Sequence, residues 1–351
     1  MKTIYALGCP SSIGGAETEL WHTVRLWRRS GRPVTLLTTG PPDSYWKARC
    51  EAIGCKFLAL KFDAKAIPPE VEGQPVVAFC NRAFMWIAEE LRKAKAKLVW
   101  VPCMMHPWEV EHKVCQRIGP FDAYVMQTQF QFDELLKWHR AWGVPEDRRW
   151  RIRGAFDMSE FAYAPKPWMI GRPFVIGHLS RPHPRKWRKD IWAIYKAIRD
   201  RLAPDLPVQV RVMGWTYEAT RIQTGDPPKG MEVEILPPGK EDCQTFLQSI
   251  HALVQYSDCD ENWPRVGLEA MACGTLLVVE RRGGWIEMMR DAHSGFFASP
   301  NEAAETVAMI APRERKRMEI VEQAQTHCRD LTDPDEITGR WETLWQQLEV
   351  V

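Results

Sequence analysis

Residues 259–279 read CDENWPRVGLEAMACGTLLVV. Two carboxylates, Glu261 and Glu269, are separated there by seven residues. Pro264 stands where a helix begins, because the N–H it lacks would be unsatisfied at the first helical position anyway. Val266 to Cys273 then predicts a buried helix, Gly274 its C-terminal cap, and Thr275 to Val279 a buried parallel strand. Glu261 falls in the loop before this helix and Glu269 in its second turn, so one polar ligand at the helix N-terminus can touch both. The helix dipole and the free N–H groups of that first turn suit an anion.

Outward from this stretch, short apolar runs alternate with amphipathic segments, the pattern of a doubly wound α/β sheet. The first half predicts strands at Thr3 to Gly8, Pro33 to Thr39, Phe57 to Phe62, Pro75 to Cys80, Lys97 to Cys103 and Ala123 to Thr128. Residues 165–173, PKPWMIGRP, carry three prolines and read as a linker. A second series follows at Phe174 to Ser180, Val208 to Gly214, Val233 to Leu236, Ala252 to Tyr256 and Thr275 to Val279. The expected organisation is two Rossmann-like domains, residues 1–165 and 166–333, without a visible sequence repeat. Ligands are then expected between them, beyond the carboxyl ends of the strands. Residues 334–351 hold a last helix with Trp341, Leu344, Trp345 and Leu348 on one stripe.

The chain has 351 residues, 45% hydrophobic and 26% charged, which is enough for two separate cores. A net charge of +2 gives no reason to expect nucleic acid as a partner. The apolar stretch in MKTIYALGCPSSIGG is too short for a signal peptide and runs into a glycine loop. No run reaches the roughly 18 apolar residues needed to span a bilayer. Ten cysteines occur without a C-x-x-C pair, and several (Cys80, Cys103, Cys273) fall in or beside apolar runs. Buried free thiols in a reducing cytoplasm account for them, and no zinc site is expected.

Together with EAMACG and the apolar strand after it, the Glu261–Glu269 pair resembles the E-x7-E signature of retaining glycosyltransferases with the GT-B fold, in particular glycosyltransferase family 4. The resemblance implies that Glu269 holds the ribose hydroxyls of a nucleotide-diphosphate sugar such as a UDP- or GDP-sugar. Glu261 would contact the donor sugar, and Val266 and Gly267 would lie at the donor phosphates. The loop after the first strand of the second half, FVIGHLSRPHPRKWRKD (residues 174–190), is similar to the family's diphosphate loop. Arg181 and Lys186 fit its Arg and Lys, with Arg185 and Lys189 as substitutes. Two cations there make charge-assisted bonds and neutralise charge on the leaving group. Gly14 and Gly15 precede a helix and let the backbone approach a ligand; they look like the family's GG-x-E loop, which reaches the donor from the opposite domain. His106, after the run Lys97 to Cys103, matches a His that reaches the donor sugar in relatives. GGWIEMM (residues 283–289) resembles a loop that offers backbone N–H groups to the donor. The last helix often crosses back to the first domain in this family.

The expected activity is metal-independent transfer, without a cofactor, of a sugar to a hydroxyl of a glycan, lipid or small molecule, in the cytoplasm. The sequence departs from the family pattern at His178, where many members carry Arg, and at Pro264, where Gly is common. These departures keep open a non-catalytic relative that binds nucleotide sugar or glycan; a GT-B epimerase acting on a nucleotide sugar is a second alternative. Asp258 and Asp260 form a D-x-D, read here as loop acids rather than metal ligands. The helix at residues 19–31 has Arg25, Arg28 and Arg29 off its apolar stripe. That face suits weak peripheral contact with an anionic membrane as well as simple solvation. Trp108, Trp263 and Trp285 are the tryptophans expected near the cleft.

Overall fold

The computed structural model describes residues 1–11, 14–60 and 66–350. The chain forms two compact units, Met1–Phe156 with Thr332–Val351, and Asp157–Leu331. The division falls at Phe156, before the boundary at 165 expected from the prolines. Residues 162–166 are tied into the second unit: Ala162 N donates to Gln244 Oε1 (2.8 Å), Ala164 N to Cys273 O (3.1 Å) and Lys166 Nζ to Ser249 O (2.5 Å).

In the first unit the order is β1 (Ile4–Leu7), α1 (Gly15–Arg29), β2 (Val34–Thr38), α2 (Ser44–Ala52), β3 (Lys56–Ala59), β4 (Pro75–Phe79), α3 (Ala83–Lys93), β5 (Lys97–Val101), α4 (Glu109–Ile118), β6 (Ala123–Met126), α5 (Gln129–Ala141) and β7 (Arg149–Arg151). All seven strands are parallel, in the order β3-β2-β1-β4-β5-β6-β7. β1, β2, β4 and β6 are buried throughout, as expected of apolar runs covered by helices on both faces. The run Phe57 to Phe62 yields only the short edge strand β3; Lys61 and Phe62 lie outside the described residues. β7 has no apolar run and was not expected.

In the second unit the order is β8 (Phe174–Leu179), α6 (Ile191–Leu202), β9 (Val208–Met213), α7 (Arg221–Thr224), β10 (Val233–Leu236), α8 (Cys243–Gln248), β11 (Ala252–Gln255), α9 (Arg265–Cys273), β12 (Leu276–Val279), α10 (Trp285–Met288), β13 (Phe296–Phe297), α11 (Ala303–Ile310) and α12 (Glu314–Leu331). Its six parallel strands follow the order β10-β9-β8-β11-β12-β13. The two-residue edge strand β13 was likewise not expected. The strand order reverses between β1 and β4 in the first sheet and between β8 and β11 in the second, the places where such sheets bind ligands.

The last helix, α13 (Pro334–Gln347), belongs to the first unit. Trp341 and Trp345 meet Trp27 of α1 edge to face, with centroids 5.0 and 5.7 Å apart. Arg32, almost fully buried, pairs with Glu342 and donates to Val350 O at 3.0 Å. The basic face of α1 serves this unit too. Arg28 donates to Ile53 O (2.9 Å) and Arg32 O (2.7 Å), and Arg25 lies over the Trp21 ring at 5.4 Å. No described helix is long and apolar enough to cross a membrane. All ten cysteines are free thiols.

Candidate functional site

In the second unit, β8 and β11 pair only at Ala252↔Ile176 and Leu253↔Gly177 before they part. The Gln255 side chain bridges the gap that follows. Its Oε1 accepts from Leu179 N, and its Nε2 donates to Leu179 O, both at 3.2 Å. The same amide lies 3.3 Å from Nε2 of His178, whose Nδ1 is 3.0 Å from the Tyr195 hydroxyl; that hydroxyl donates on to Val254 O. Burial pushes His178 down to about 3, so the imidazole is neutral. It points into the core and stacks on Trp187 with centroids 4.1 Å apart. Trp187 is fully buried and donates its indole N–H to Arg181 O at 3.2 Å. His178, where the sequence departs from the family pattern, thus helps to anchor the loop that carries Arg181, Arg185 and Lys186.

Along that loop Arg181 is exposed, and Lys186 forms an ion pair with Glu261. His183 is held below its ordinary value, first by burial and then by the charges of Arg181, Lys186 and Arg185. Positive charge therefore converges here. Gly214, with φ +96°, ends β9 against this loop; a Cβ there would lie 1.7 Å from Ser180 O.

Glu261 is held from below. Gly284 N donates to Glu261 O at 2.7 Å, and a Cβ on Gly284 would sit 1.4 Å from Asn262 O. The Gly283–Gly284 pair therefore supports the Glu261 loop, and the Gly284 N–H expected to face the donor is taken by that loop. The D-x-D acids carry partners of their own. Asp258 Oδ2 accepts from Gln223 Nε2 (2.5 Å) and Lys189 N (3.3 Å), and Asp260 accepts from Arg282 (2.8 Å).

α9 begins at Arg265, one residue before the expected Val266, with Pro264 as its N-cap rather than its first helical residue and Gly274 as a left-handed C-cap. Val266 is half-buried in its first turn. Gly267 corrects an expectation. Its N–H is engaged by Pro264 O at 2.8 Å, and a Cβ on it would lie 2.5 Å from the Trp285 ring. The glycine lets α9 pack against α10 rather than approach a phosphate. Trp263 and Trp285 are buried core, not open stacking faces. Glu269 lies in the second turn of α9, half-buried, and accepts from the Cys243 thiol at 3.0 Å.

The other candidates lie in the first unit. Gly14 is the N-cap of α1 at φ +113°, a backbone that L side chains rarely adopt, and Gly15 opens the helix, exposed. Next to them, at the carboxyl ends of β1 and β4, is a cavity of about 240 Å³ lined by Gly8, Cys9, Glu17, Cys80, Asn81 and Arg82. His106 is exposed in the loop between β5 and α4. That loop is tied down by Gln131, which donates to Pro102 O (3.3 Å) and Met104 O (2.9 Å). The buried Glu111 accepts from Trp108 N (3.4 Å) and from Trp100 Nε1 (3.1 Å) at its far end.

The structure therefore joins Lys186 to Glu261 and places Arg181 on the same loop. Sequence reasoning missed Trp187, inside the loop itself, and Gln255 and Cys243, which reach these residues from sequence-distant elements. Of these only Trp187, an apolar residue inside a basic loop, left a sign.

Residues 186–327 match the family model of glycosyl transferases group 1. No curated protein sequence matches the chain. Among solved structures it is similar to Anabaena HepE in complex with UDP-glucose, at 18% identity over 100% of each chain and a TM-score of 0.72. It is also similar to the G117R mutant of S. aureus TarM in complex with fondaparinux, alpha-GlcNAc-glycerol and UDP, at 10% identity, 98% of this chain, 100% of that one and a TM-score of 0.75. A third likeness is to sucrose-phosphate synthase from Thermosynechococcus elongatus, at 15% identity over 100% of each chain and a TM-score of 0.70. The fold is GT-B, with two Rossmann-like units in one chain, and the resemblance to GT-B glycosyltransferases rests on family model and fold together.

Proposed function

We propose that this GT-B chain is a retaining glycosyltransferase that moves a sugar from a nucleotide-diphosphate sugar to a hydroxyl of a glycan, lipid or small molecule. The observation that carries the reading is the Lys186–Glu261 ion pair, set on a loop that Trp187 anchors beside the switch point of the second sheet. Arg181 and Lys186 take the diphosphate, Glu269 the ribose and Glu261 the sugar. Transfer proceeds on the front face of the sugar. As the anomeric C–O bond to the diphosphate breaks, the acceptor hydroxyl attacks from the same side and passes its proton to the departing diphosphate oxygen. Arg181, Lys186 and the N-terminus of α9 stabilise the charge that develops. Glu261 supports positive character at the anomeric carbon, so no enzymatic nucleophile is needed. The reaction is metal-independent in this reading, since Asp258 and Asp260 are committed to Gln223, Lys189 and Arg282. The setting is cytoplasmic. UDP-sugars are the first donors to try, because the HepE and TarM complexes contain UDP or UDP-glucose.

The test is a thermal-shift panel of UDP-, GDP-, ADP-, TDP- and CMP-sugars with EDTA present, on the wild type and on Glu269→Ala. A ligand at 100 times its Kd adds about 2.7 kcal/mol of stability. One base class should stabilise the wild type and not the variant, and turnover with an acceptor should release nucleotide and keep the anomeric configuration. Stabilisation that appears only when metal replaces EDTA, or an inverted product, would sink the reading. One observation favours a second reading, a non-catalytic donor-binding relative: the family's phosphate cation is replaced by the buried His178. Donor binding without turnover on any acceptor would select it.

A further inference from the structure

Glu269 does not stand alone on α9. The Cys243 thiol donates to its Oε2 at 3.0 Å, across 26 residues of chain. Cys243 is the first residue of α8, whose N-cap Asp242 accepts from Thr245 N (2.8 Å) and from the Thr245 hydroxyl (2.6 Å). The C-terminal end of α8 is fixed as well, because the Thr275 hydroxyl, just past α9, donates to Leu247 O at 2.8 Å. The sulfur therefore reaches Glu269 from a rigid base. Burial and the carboxylate itself push the thiol well above its ordinary range, so it stays protonated and donates. The neighbouring acids are otherwise engaged: Glu241 accepts from Arg211 at 2.9 Å, and Asp242 caps its helix. Among the described residues, no bond to Oε1 of Glu269 competes with a ligand.

A glutamate on a helix has three rotatable side-chain bonds, and a ligand that needs it must freeze all three. A partner that freezes them beforehand removes that cost from binding. We propose that Cys243 is a positioning residue whose S–H holds Oε2 of Glu269 and leaves Oε1 to accept from the ribose hydroxyls of a nucleoside diphosphate. The inference rests on the glycosyltransferase reading. It goes beyond that reading by tying donor affinity to a thiol on a different helix.

The experiment titrates UDP and 2′-deoxy-UDP, and the matching GDP and ADP pairs, into the full chain as wild type, Cys243→Ser and Cys243→Ala. Thermal unfolding first shows that each variant is folded. The wild type should prefer the ribonucleotide. Cys243→Ala should lose about three- to tenfold in ribonucleotide affinity, the net span of one typical hydrogen bond, and its preference over the deoxynucleotide should shrink by the same factor. Cys243→Ser, which keeps a donor, should restore most of both. In turnover, Cys243→Ala should raise donor KM and leave kcat within about twofold at saturation. An equal loss for the ribo and deoxy ligands would reduce Cys243 to packing and overturn the inference alone. A wild type that binds none of the nucleotides would remove the glycosyltransferase reading and this inference with it.

Discussion

Lys186 and Glu261 neutralise each other before any donor arrives. In the proposed reading a diphosphate takes Lys186 from Glu261, and the freed carboxylate then serves the sugar. Glu261→Gln should therefore bind a nucleoside diphosphate more tightly than the wild type in calorimetry while transferring sugar more than tenfold more slowly. Lys186→Ala should lose about ten- to a hundredfold in donor affinity, as expected for a hydrogen bond to a charged group. His183 supplies a second handle. It lies below its ordinary value in the free protein because of burial and three nearby cations. A diphosphate brings negative charge and opposes that push, so donor binding should take up a proton as pH falls below the ordinary imidazole value of 6.5. Affinity for a UDP-sugar should rise as pH falls through that range. Calorimetry in buffers of different ionisation enthalpy measures the uptake, and His183→Ala should abolish it. The nearness of Glu261 and Glu269 is legible in the sequence because one loop and one helix carry both, whereas the pairing of Lys186 with Glu261 spans 75 residues and is not. Nor is the role of His178, because only the fold brings Tyr195, Trp187 and Gln255 around it.

At the scale of elements, the glycine pair Gly283–Gly284 holds the Glu261 loop by close backbone contact. Gly284→Ala would put a methyl 1.4 Å from Asn262 O and force the loop away. Transfer should fall more than tenfold, and stability by about 1–3 kcal/mol, as for other overpacked sites. Gly339 is the control. It lies inside α13 with nothing near its missing Cβ, so Gly339→Ala should stabilise by about 0.5–1 kcal/mol in urea unfolding and leave transfer unchanged. Elements with strong patterns were readable. β4 is buried as a block, and β8 and α9 come from runs whose apolar residues are buried but for Leu179 and Val266. β7 and β13 were not, because an edge strand of two or three residues is set by its neighbour's register and carries no apolar run of its own.

For the whole molecule, acid is the revealing variable. Burial holds His178 and His251 near 3 in the second unit and His139 near 4 in the first, each against an ordinary value of 6.5. The unfolded chain binds these protons near pH 6.5 while the folded one refuses them, so stability is full above that pH and falls as pH drops toward 4. Each histidine contributes up to about 1.4 kcal/mol per pH unit over that span. The second unit should lose stability faster than the first, since His327 is lowered in the same direction. Urea midpoints from pH 7 to 4.5 test this, and a midpoint independent of pH would contradict it. The two-unit organisation was legible from the strand series; the boundary was not, because residues 162–166 are bound to the second unit by backbone and side-chain contacts that no proline count reveals. α13 completes the core of the first unit, so that unit closes only after residues 157–331 have been made. During synthesis its early strands and α1 emerge with Trp27 uncovered. At ~5–20 residues per second, roughly ten to thirty-five seconds pass while the second unit is translated. Through that interval the ribosome carries a half-built domain whose missing wall is still unwritten.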